Sequence, residues 1–117
     1  EDFSQMTVEQ RQQAPIIEIA ESIDLGVIKM GKVSSHKVHL NNAGVNPLLI
    51  RRIITDGQYI KVATPKNPIK GGRGLDLKLD LDASKIKEAA NYSRTITIIT
   101  NDPAHATIKL RINWTIE

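Results

Sequence analysis

The chain has 117 residues, of which 40% are hydrophobic but only 3% aromatic, so it has room for one domain with a core of Ile, Leu and Val, residues that favour strands. Its net charge of +3 comes from 16 basic and 13 acidic residues without a long basic run, so nucleic-acid binding is not expected. Without cysteine, and without an apolar run of the roughly 20 residues that span a membrane, we expect a soluble domain with no thiolate chemistry and no peripheral membrane contact.

The first fifteen residues differ from the rest and are predicted to form a short helical lead-in. Thr7 and Gln10 stand at the capping-box spacing, in which each side chain satisfies a backbone N–H of the other residue. The residues after Gln10 suit a helix, and Pro15 ends it because proline has no N–H to donate. We therefore expect residues 1–15 to be a lead-in or inter-domain linker and residues 16–117 to form the domain.

From residue 16 onward the hydrophobic pattern changes to a period of two, which is typical of strands. Residues 16–19 and 23–25 are predicted to be short strands, and Gly26 and Gly31 allow bends after them. The next strand places three side chains on one face: His36, Val38 and Leu40. A turn over residues 41–44 ends this strand.

The middle of the chain contains one strong and one weak strand. Residues 48–55 are mostly apolar and form a strand along which Arg51 and Arg52 can lay their aliphatic stems. Residues 59–63 form a weaker strand, which the following prolines place at a sheet edge. A glycine-rich turn over residues 70–74 comes next.

The clearest strand follows that turn, because four leucines alternate with charged residues. They are Leu75, Leu77, Leu79 and Leu81. We expect this leucine face to be buried, with a contribution of about 1.5–3 kcal/mol from each leucine, and the charged face to be in water. Residues 83–90 are predicted to form one helical turn in the crossover to the next strand.

The chain closes on two strands that flank a break at Asn101, Asp102 and Pro103. The Asn and Asp side chains can cap this turn, and the proline fixes its φ angle. The inward-facing residues are predicted to be Ile96, Ile98, Ile108, Leu110, Ile112, Trp114 and Ile116. Strands at intervals of roughly 8–12 residues, without long helices between them, predict an all-β, antiparallel sandwich of about seven strands.

Six short motifs occur in an order and at spacings that are specific when taken together. They are Ile23-Asp24-Leu25-Gly26-Val27-Ile28, Gly31-Lys32-Val33, Leu40-Asn41-Asn42-Ala43-Gly44, Pro47-Leu48-Leu49-Ile50, Ile69-Lys70-Gly71-Gly72 and Thr100-Asn101-Asp102-Pro103. Over residues 16–117 this order resembles the bacterial DUF1573 family, an immunoglobulin-like sandwich related to ASH and MSP-type domains. The resemblance implies an exported protein, periplasmic or at the cell surface, often with two such domains in series. It implies no established activity.

One stretch departs from the pattern of that family. Many members carry a Cys-Gly-Cys-Thr-like stretch after the strand that begins with Pro-Leu, whereas this chain has residues 55–59 there, without a cysteine. No redox or metal role is therefore carried over from the family. Residues 1–15 then resemble a junction between two repeats.

Candidate metal and catalytic residues form no recognisable motif. His36 and His39 stand three apart on a strand and face opposite sides, so they cannot share a metal, and His105 lies near the final turn. The stretch from Asp80 begins like a calcium loop but lacks the required Gly and Glu. The serines lack a G-x-S-x-G context, although a Ser-His-Asp site assembled in space stays open. We expect no catalytic, metal or cofactor residues.

The sequence therefore predicts a non-catalytic structural or interaction module, which presents edge strands and loop ends to a protein partner or to an adjacent domain of the same chain. Arg51, Arg52 and Tyr59 are the candidate contact residues, because arginine and tyrosine are enriched at interface hot spots; ordinary surface is the alternative. Two other classes stay open. A carbohydrate- or ligand-binding module would need exposed aromatic rings, for which Tyr59 and Tyr92 are available, and the third class is an accessory domain of a larger enzyme.

Overall fold

The computed structural model describes residues 13–55 and 59–117, which contain eight strands. These are β1 (Ile17–Ile19), β2 (Ser22–Ile28), β3 (Val33–Asn42), β4 (Ile50–Ile54), β5 (Ile60–Val62), β6 (Gly74–Asp82), β7 (Asn91–Thr100) and β8 (Thr107–Ile116). Most of the helical lead-in predicted for residues 1–15 lies outside the described residues. Within them, no helix is long and apolar enough to cross a membrane.

The strands form two four-stranded sheets with one core between them. The order is β1-β3-β6-β5 in the first sheet and β2-β8-β7-β4 in the second. Neighbouring strands pair antiparallel except β2 and β8, which run parallel. The prediction of about seven antiparallel strands is therefore corrected to eight strands in the described residues, with one parallel pair.

The parallel pair arises because the chain changes sheets early. It leaves the first sheet after β1 and enters the second as β2, which lies beside the last strand, β8. A β-bulge between Asp24 and Val27 shifts the register, and Gly26 supports it with a φ of 80° and an N–H that donates to Asp24 Oδ1 at 2.8 Å. Alternation in the sequence indicates which face a side chain takes but not which strand lies beside it, so the parallel pairing left no signal.

The leucine face predicted for β6 is buried over most of its length. Leu77, Leu79 and Leu81 are at most 2% exposed, whereas Leu75 is only half-buried. Leu75 is the second residue of β6, so it lies at the end of the buried face. The second sheet supplies the facing side of the core: Ile96, Ile98, Leu110, Ile112, Trp114 and Ile116.

An aromatic cluster surrounds Trp114. Tyr92 stacks on the indole at 5.7 Å between ring centres, and Tyr59 meets it edge to face at 6.3 Å. The indole is 1% exposed, and its N–H has no hydrogen-bond partner among the described residues. The packing of two tyrosine rings therefore holds Trp114 without help from a polar contact in this part of the chain.

The crossover over residues 83–90 is a turn and not the predicted helical turn. The N–H of Ile86 donates to the carbonyl of Ala83 at 3.1 Å, and no helix is assigned there. Both residues are buried, which draws the crossover onto the core. This packing takes the place of a helical hydrogen-bond pattern.

Candidate interaction surfaces

Arg51 and Arg52 lie on β4, an edge strand of the second sheet. Strict alternation would turn one of two consecutive side chains towards the core. Here the register with β7 shifts between Ile50 and Arg52, so that Arg51 is the extra residue of a β-bulge. Both arginine side chains are consequently exposed, which a contact surface requires.

Tyr59 packs inward instead of presenting its ring to solvent. Its residue is half-buried, its ring meets Trp114, and the guanidinium of Arg94 lies 5.3 Å from the ring centre. The three predicted contact residues are thus divided. Arg51 and Arg52 lie on the second sheet, whereas Tyr59 precedes β5 of the first sheet and belongs to the Trp114 cluster.

A buried asparagine fixes one end of the sandwich. Asn42 is 1% exposed, and its Oδ1 accepts from the N–H of Ile16 at 3.2 Å and of Gly44 at 2.9 Å. Its Nδ2 donates to the carbonyls of Asn46 and Ile69, both at 2.9 Å. All the side-chain polar atoms are therefore used, as burial requires. Asn42 was predicted to lie in a turn, although its position continues the inward alternation of the preceding strand residues.

The buried Asp102 fixes the final turn through hydrogen bonds in a similar way. Its carboxylate accepts from the N–H of Ala104 at 2.9 Å, which confirms the predicted cap, and from the N–H of Ile17 at 3.0 Å. The neighbouring Asn101 Oδ1 accepts from the N–H of Leu49 at 2.7 Å. The turn is thereby bonded to β1 and to the segment before β4. These long-range partners could not be predicted, because an Asn-Asp-Pro sequence indicates only a local turn and not the distant residues that bond to it.

The three histidines occupy separate environments. Ser34 Oγ lies 2.8 Å from Nε2 of the half-buried His36, while His105 Nδ1 lies 3.3 Å from Asp102. His39 is exposed on the opposite face of β3 from His36, as predicted. In residues 13–55 and 59–117, no group of three or more His, Cys, Asp or Glu side chains could hold a metal ion.

His39 takes part in a cross-strand pair on the outer face of the first sheet. Its Nδ1 lies 2.8 Å from Asp76 Oδ1, and its Nε2 lies 3.0 Å from Asn41 Oδ1. Both acceptors favour a ring that carries two N–H groups. The hydrogen bond to Asp76, followed by that to Asn41, raises the pKa of His39 above its usual value.

The carboxylates of the calcium-like stretch serve the local fold. Asp80 Oδ1 accepts from Ser35 Oγ at 2.7 Å across the β3–β6 pair. Asp82 Oδ1 accepts from the N–H of Ser84 at 2.9 Å and so caps the turn after β6. Hydrogen bonds from Ser84, chiefly from its side chain and then from its backbone, lower the pKa of Asp82.

A groove of about 420 Å³ lies beside the start of β6, and no sequence pattern predicted it. Residues 65–70 form one wall, and Arg73, Gly74 and Leu75 form the other. Its apolar lining includes the half-buried Leu75. Its charged lining consists of three cations: Lys66, Lys70 and Arg73. Its lining comes from both sides of a turn, and composition and periodicity do not indicate that these residues share a surface.

The same architecture occurs in known structures. A protein of unknown function from Porphyromonas gingivalis W83 matches with a TM-score of 0.82 and 21% identity over 97% of this chain and 51% of that one. The ASH/PapD-like domain 7 of human CEP192 matches with a TM-score of 0.61 and 11% identity, over 100% of this chain and 92% of that one. The VesB protease of Vibrio cholerae matches with a TM-score of 0.61 and 12% identity, over 94% of this chain and 33% of that one. The domain therefore has an immunoglobulin-like sandwich fold, and it spans about half the length of the Porphyromonas protein.

The sequence itself identifies the family. The DUF1573 model, described as a protein of unknown function, matches residues 17–116. The chain therefore belongs to the DUF1573 family, in agreement with the resemblance found from its motifs. No curated protein matches the sequence.

Proposed function

We propose that this domain is a non-catalytic interaction module of an exported bacterial protein, one of several sandwiches in series. The sequence resemblance supports export to the periplasm or cell surface. The length of the Porphyromonas protein, about twice that of this chain, is compatible with a serial arrangement. The binding role itself rests on the edges of the first sheet.

The supporting observation is that short strands flank the long strands of the first sheet. β1 pairs with β3 only at residues 40–42, so Val33–His39 has no strand on that side in the part of the chain that the structure describes. The N–H of Ala43 donates to the carbonyl of Ile16, so the backbone groups of Ala43 point to the side of the sheet where β1 lies. Alternate residues of β3, such as Lys37, direct their backbone groups to the same side. Such an edge can accept an extended segment of another protein.

Charges on this edge oppose pairing with a second copy of the chain. Lys37 and His39 are exposed on β3, and edge charges are a common protection against unspecific strand addition. In the proposed function, a partner segment carries acidic or polar side chains that complement Lys37 and His39 and so avoids the charge repulsion that a second copy of the edge would meet. Arg51 and Arg52, exposed on β4, are the proposed contacts on the second sheet.

A backbone-directed substitution tests the role of the β3 edge. A photo-crosslinking residue replaces Ser35 in the full protein, in the cells that produce it, and the attached segment is identified by mass spectrometry. Lys37→Pro removes an outward N–H without removing a bond to β6, whereas Lys37→Ala keeps that N–H. We expect one defined adduct that survives Lys37→Ala and disappears with Lys37→Pro.

The outcome depends on folded protein, so the thermal melt of each variant is measured alongside. An adduct that persists in folded Lys37→Pro, or scattered adducts with unrelated proteins, would refute binding by strand addition at this edge. A crosslinker at Lys109, on the inner strand β8, is the matched control and should give no such adduct.

An accessory domain of a larger enzyme is the second candidate. It is supported by the similarity to part of the VesB protease, of which this chain covers 33%. A carbohydrate-binding role has less support, because Tyr59 and Tyr92 both pack against Trp114. A catalytic domain encoded in the same full-length protein would favour the accessory role, and a second sandwich would favour the module.

A further inference from the structure

We propose that the groove between residues 65–70 and the start of β6 binds an extended acidic peptide. This inference rests on the proposed interaction function and adds a second surface with a defined partner chemistry. Two features carry it: the charge of the lining and the strand edge that the groove reaches.

The charge of the groove has one sign. Lys66, Lys70 and Arg73 line it, and no carboxylate is among its lining residues within the described chain. The nearest acidic residue along β6 is Asp76, on the outer face, where His39 engages its carboxylate at 2.8 Å. An occupant with carboxylates therefore meets three cations, and its charge complementarity increases both specificity and the association rate.

The groove also reaches the backbone edge of β6 at Gly74, which is one of its lining residues. The N–H of Asp82 donates to Tyr59, so even-numbered residues of this strand direct their backbone groups towards β5. The β5 ladder ends opposite Leu79, and Gly74, an even-numbered residue that lines the groove, lies beyond it. A peptide that runs along the groove can continue the sheet there, a mode that gives affinity through the backbone and selectivity through side chains.

The apolar lining defines the rest of the ligand. Pro65, Pro68 and Leu75 line the groove together with the cations. A strand places its side chains alternately on two sides, so acidic residues that alternate with Val or Leu would satisfy both parts of the lining. A nucleic acid or an anionic membrane would match only the cations, which is why a peptide is favoured.

The walls of the groove are held in place before any ligand binds. Ile69 and Leu48 exchange two backbone hydrogen bonds of 2.8 Å, and Asn42 Nδ2 donates to the carbonyl of Ile69. Arg73 donates its N–H to Lys70 at 3.0 Å, across a turn that contains Gly72 with a φ of 77°. Since these bonds fix the backbone, little ordering of the protein opposes binding.

Fluorescence anisotropy tests the proposal with a labelled peptide of alternating Glu and Val. We expect saturable binding to the full protein, about tenfold weaker for Lys66→Glu and for Arg73→Glu. Lys109→Glu, a charge reversal on the second sheet, is the matched control and should bind like the unaltered protein. Amide exchange of the complex should slow at Gly74, which lines the groove.

Several results would overturn the proposal. These are an equal loss of binding for Lys109→Glu, equal binding of a Lys-Val peptide, and tighter binding of single-stranded DNA or of anionic phospholipid vesicles than of the acidic peptide. Lys37→Pro separates this inference from the proposed function. If the β3 adduct disappears in Lys37→Pro while the peptide fails to bind to the unaltered protein, only the groove is refuted.

Discussion

At the scale of single residues, His39 couples the outer face of the first sheet to pH. A folded-state pKa above the ordinary value of about 6.5 means that folding favours the protonated ring. This contribution to stability is fully present below the unfolded-state pKa, and it is lost as the pH rises through the folded-state pKa. The pair is exposed, so the stabilisation is small and screened by salt.

The first prediction concerns this pair. In an NMR titration of the ring, His39 should titrate above its ordinary value, and Asp76→Asn should lower its pKa because the strongest acceptor loses its charge. Asp80→Asn is the matched control, since Asp80 lies on the same strand but bonds to Ser35. An unchanged His39 pKa in Asp76→Asn would show that the pair does not persist in solution.

For the buried polar residues, the sequence predicted the local turn contacts but not the long-range hydrogen bonds. Asn42 and Asp102 both read as turn formers, and their turn contacts to Gly44 and Ala104 are indeed formed. Their other bonds join segments that are far apart in the sequence. Asp102 reaches Ile17, and no local pattern encodes such a partner because it depends on the assembled sandwich.

At the scale of elements, β6 has the strongest contrast between its two faces. Leu79→Ala should cost about 2–5 kcal/mol in the free energy of unfolding, because the side chain is fully buried and a cavity remains. Lys78→Ala, one residue away on the wet face, should stay within about 0.5 kcal/mol. Denaturant titrations of both variants check this, and similar losses would contradict the assigned faces.

The strand faces were predictable because burial on one side imposes a period of two on the sequence. The leucines of β6 and the alternation of β8 are examples, and the structure confirms them apart from the half-buried Leu75 and Ile108. The bulge at Arg51 and the parallel pairing of β2 with β8 were not predictable. Both depend on hydrogen bonds between strands, which the pattern within one strand does not contain.

The candidate surfaces illustrate the same limit. The residue types of Arg51 and Arg52 predicted a contact role, and the exposure of both side chains fits that role. A contact role was also predicted for Tyr59, whose ring is engaged by Trp114 and Arg94. The cationic groove was missed, because its cations lie on either side of a turn and acquire a common surface only after folding.

At the scale of the whole molecule, the pairing of β2 with β8 joins the beginning and the end of the domain. The strands are parallel, and two further bonds close the far end: Glu117 N–H to the carbonyl of Ile28 at 3.2 Å, and Met30 N–H to the carbonyl of Glu117 at 3.0 Å. An early strand and the last strand of the domain are therefore connected along their length by one ladder of hydrogen bonds, that of β2 and β8.

That arrangement determines how the domain responds to tension. A force that pulls residue 16 and residue 117 apart acts along β2 and β8 in opposite directions, so it shears their hydrogen bonds together. A force applied between Asn91 and Glu117, at one end of the β7–β8 pair, would instead open the bonds one after another. Single-molecule pulling should give a higher rupture force for the first geometry, and equal forces would contradict it. A series of such sandwiches would then behave as a tether that resists extension.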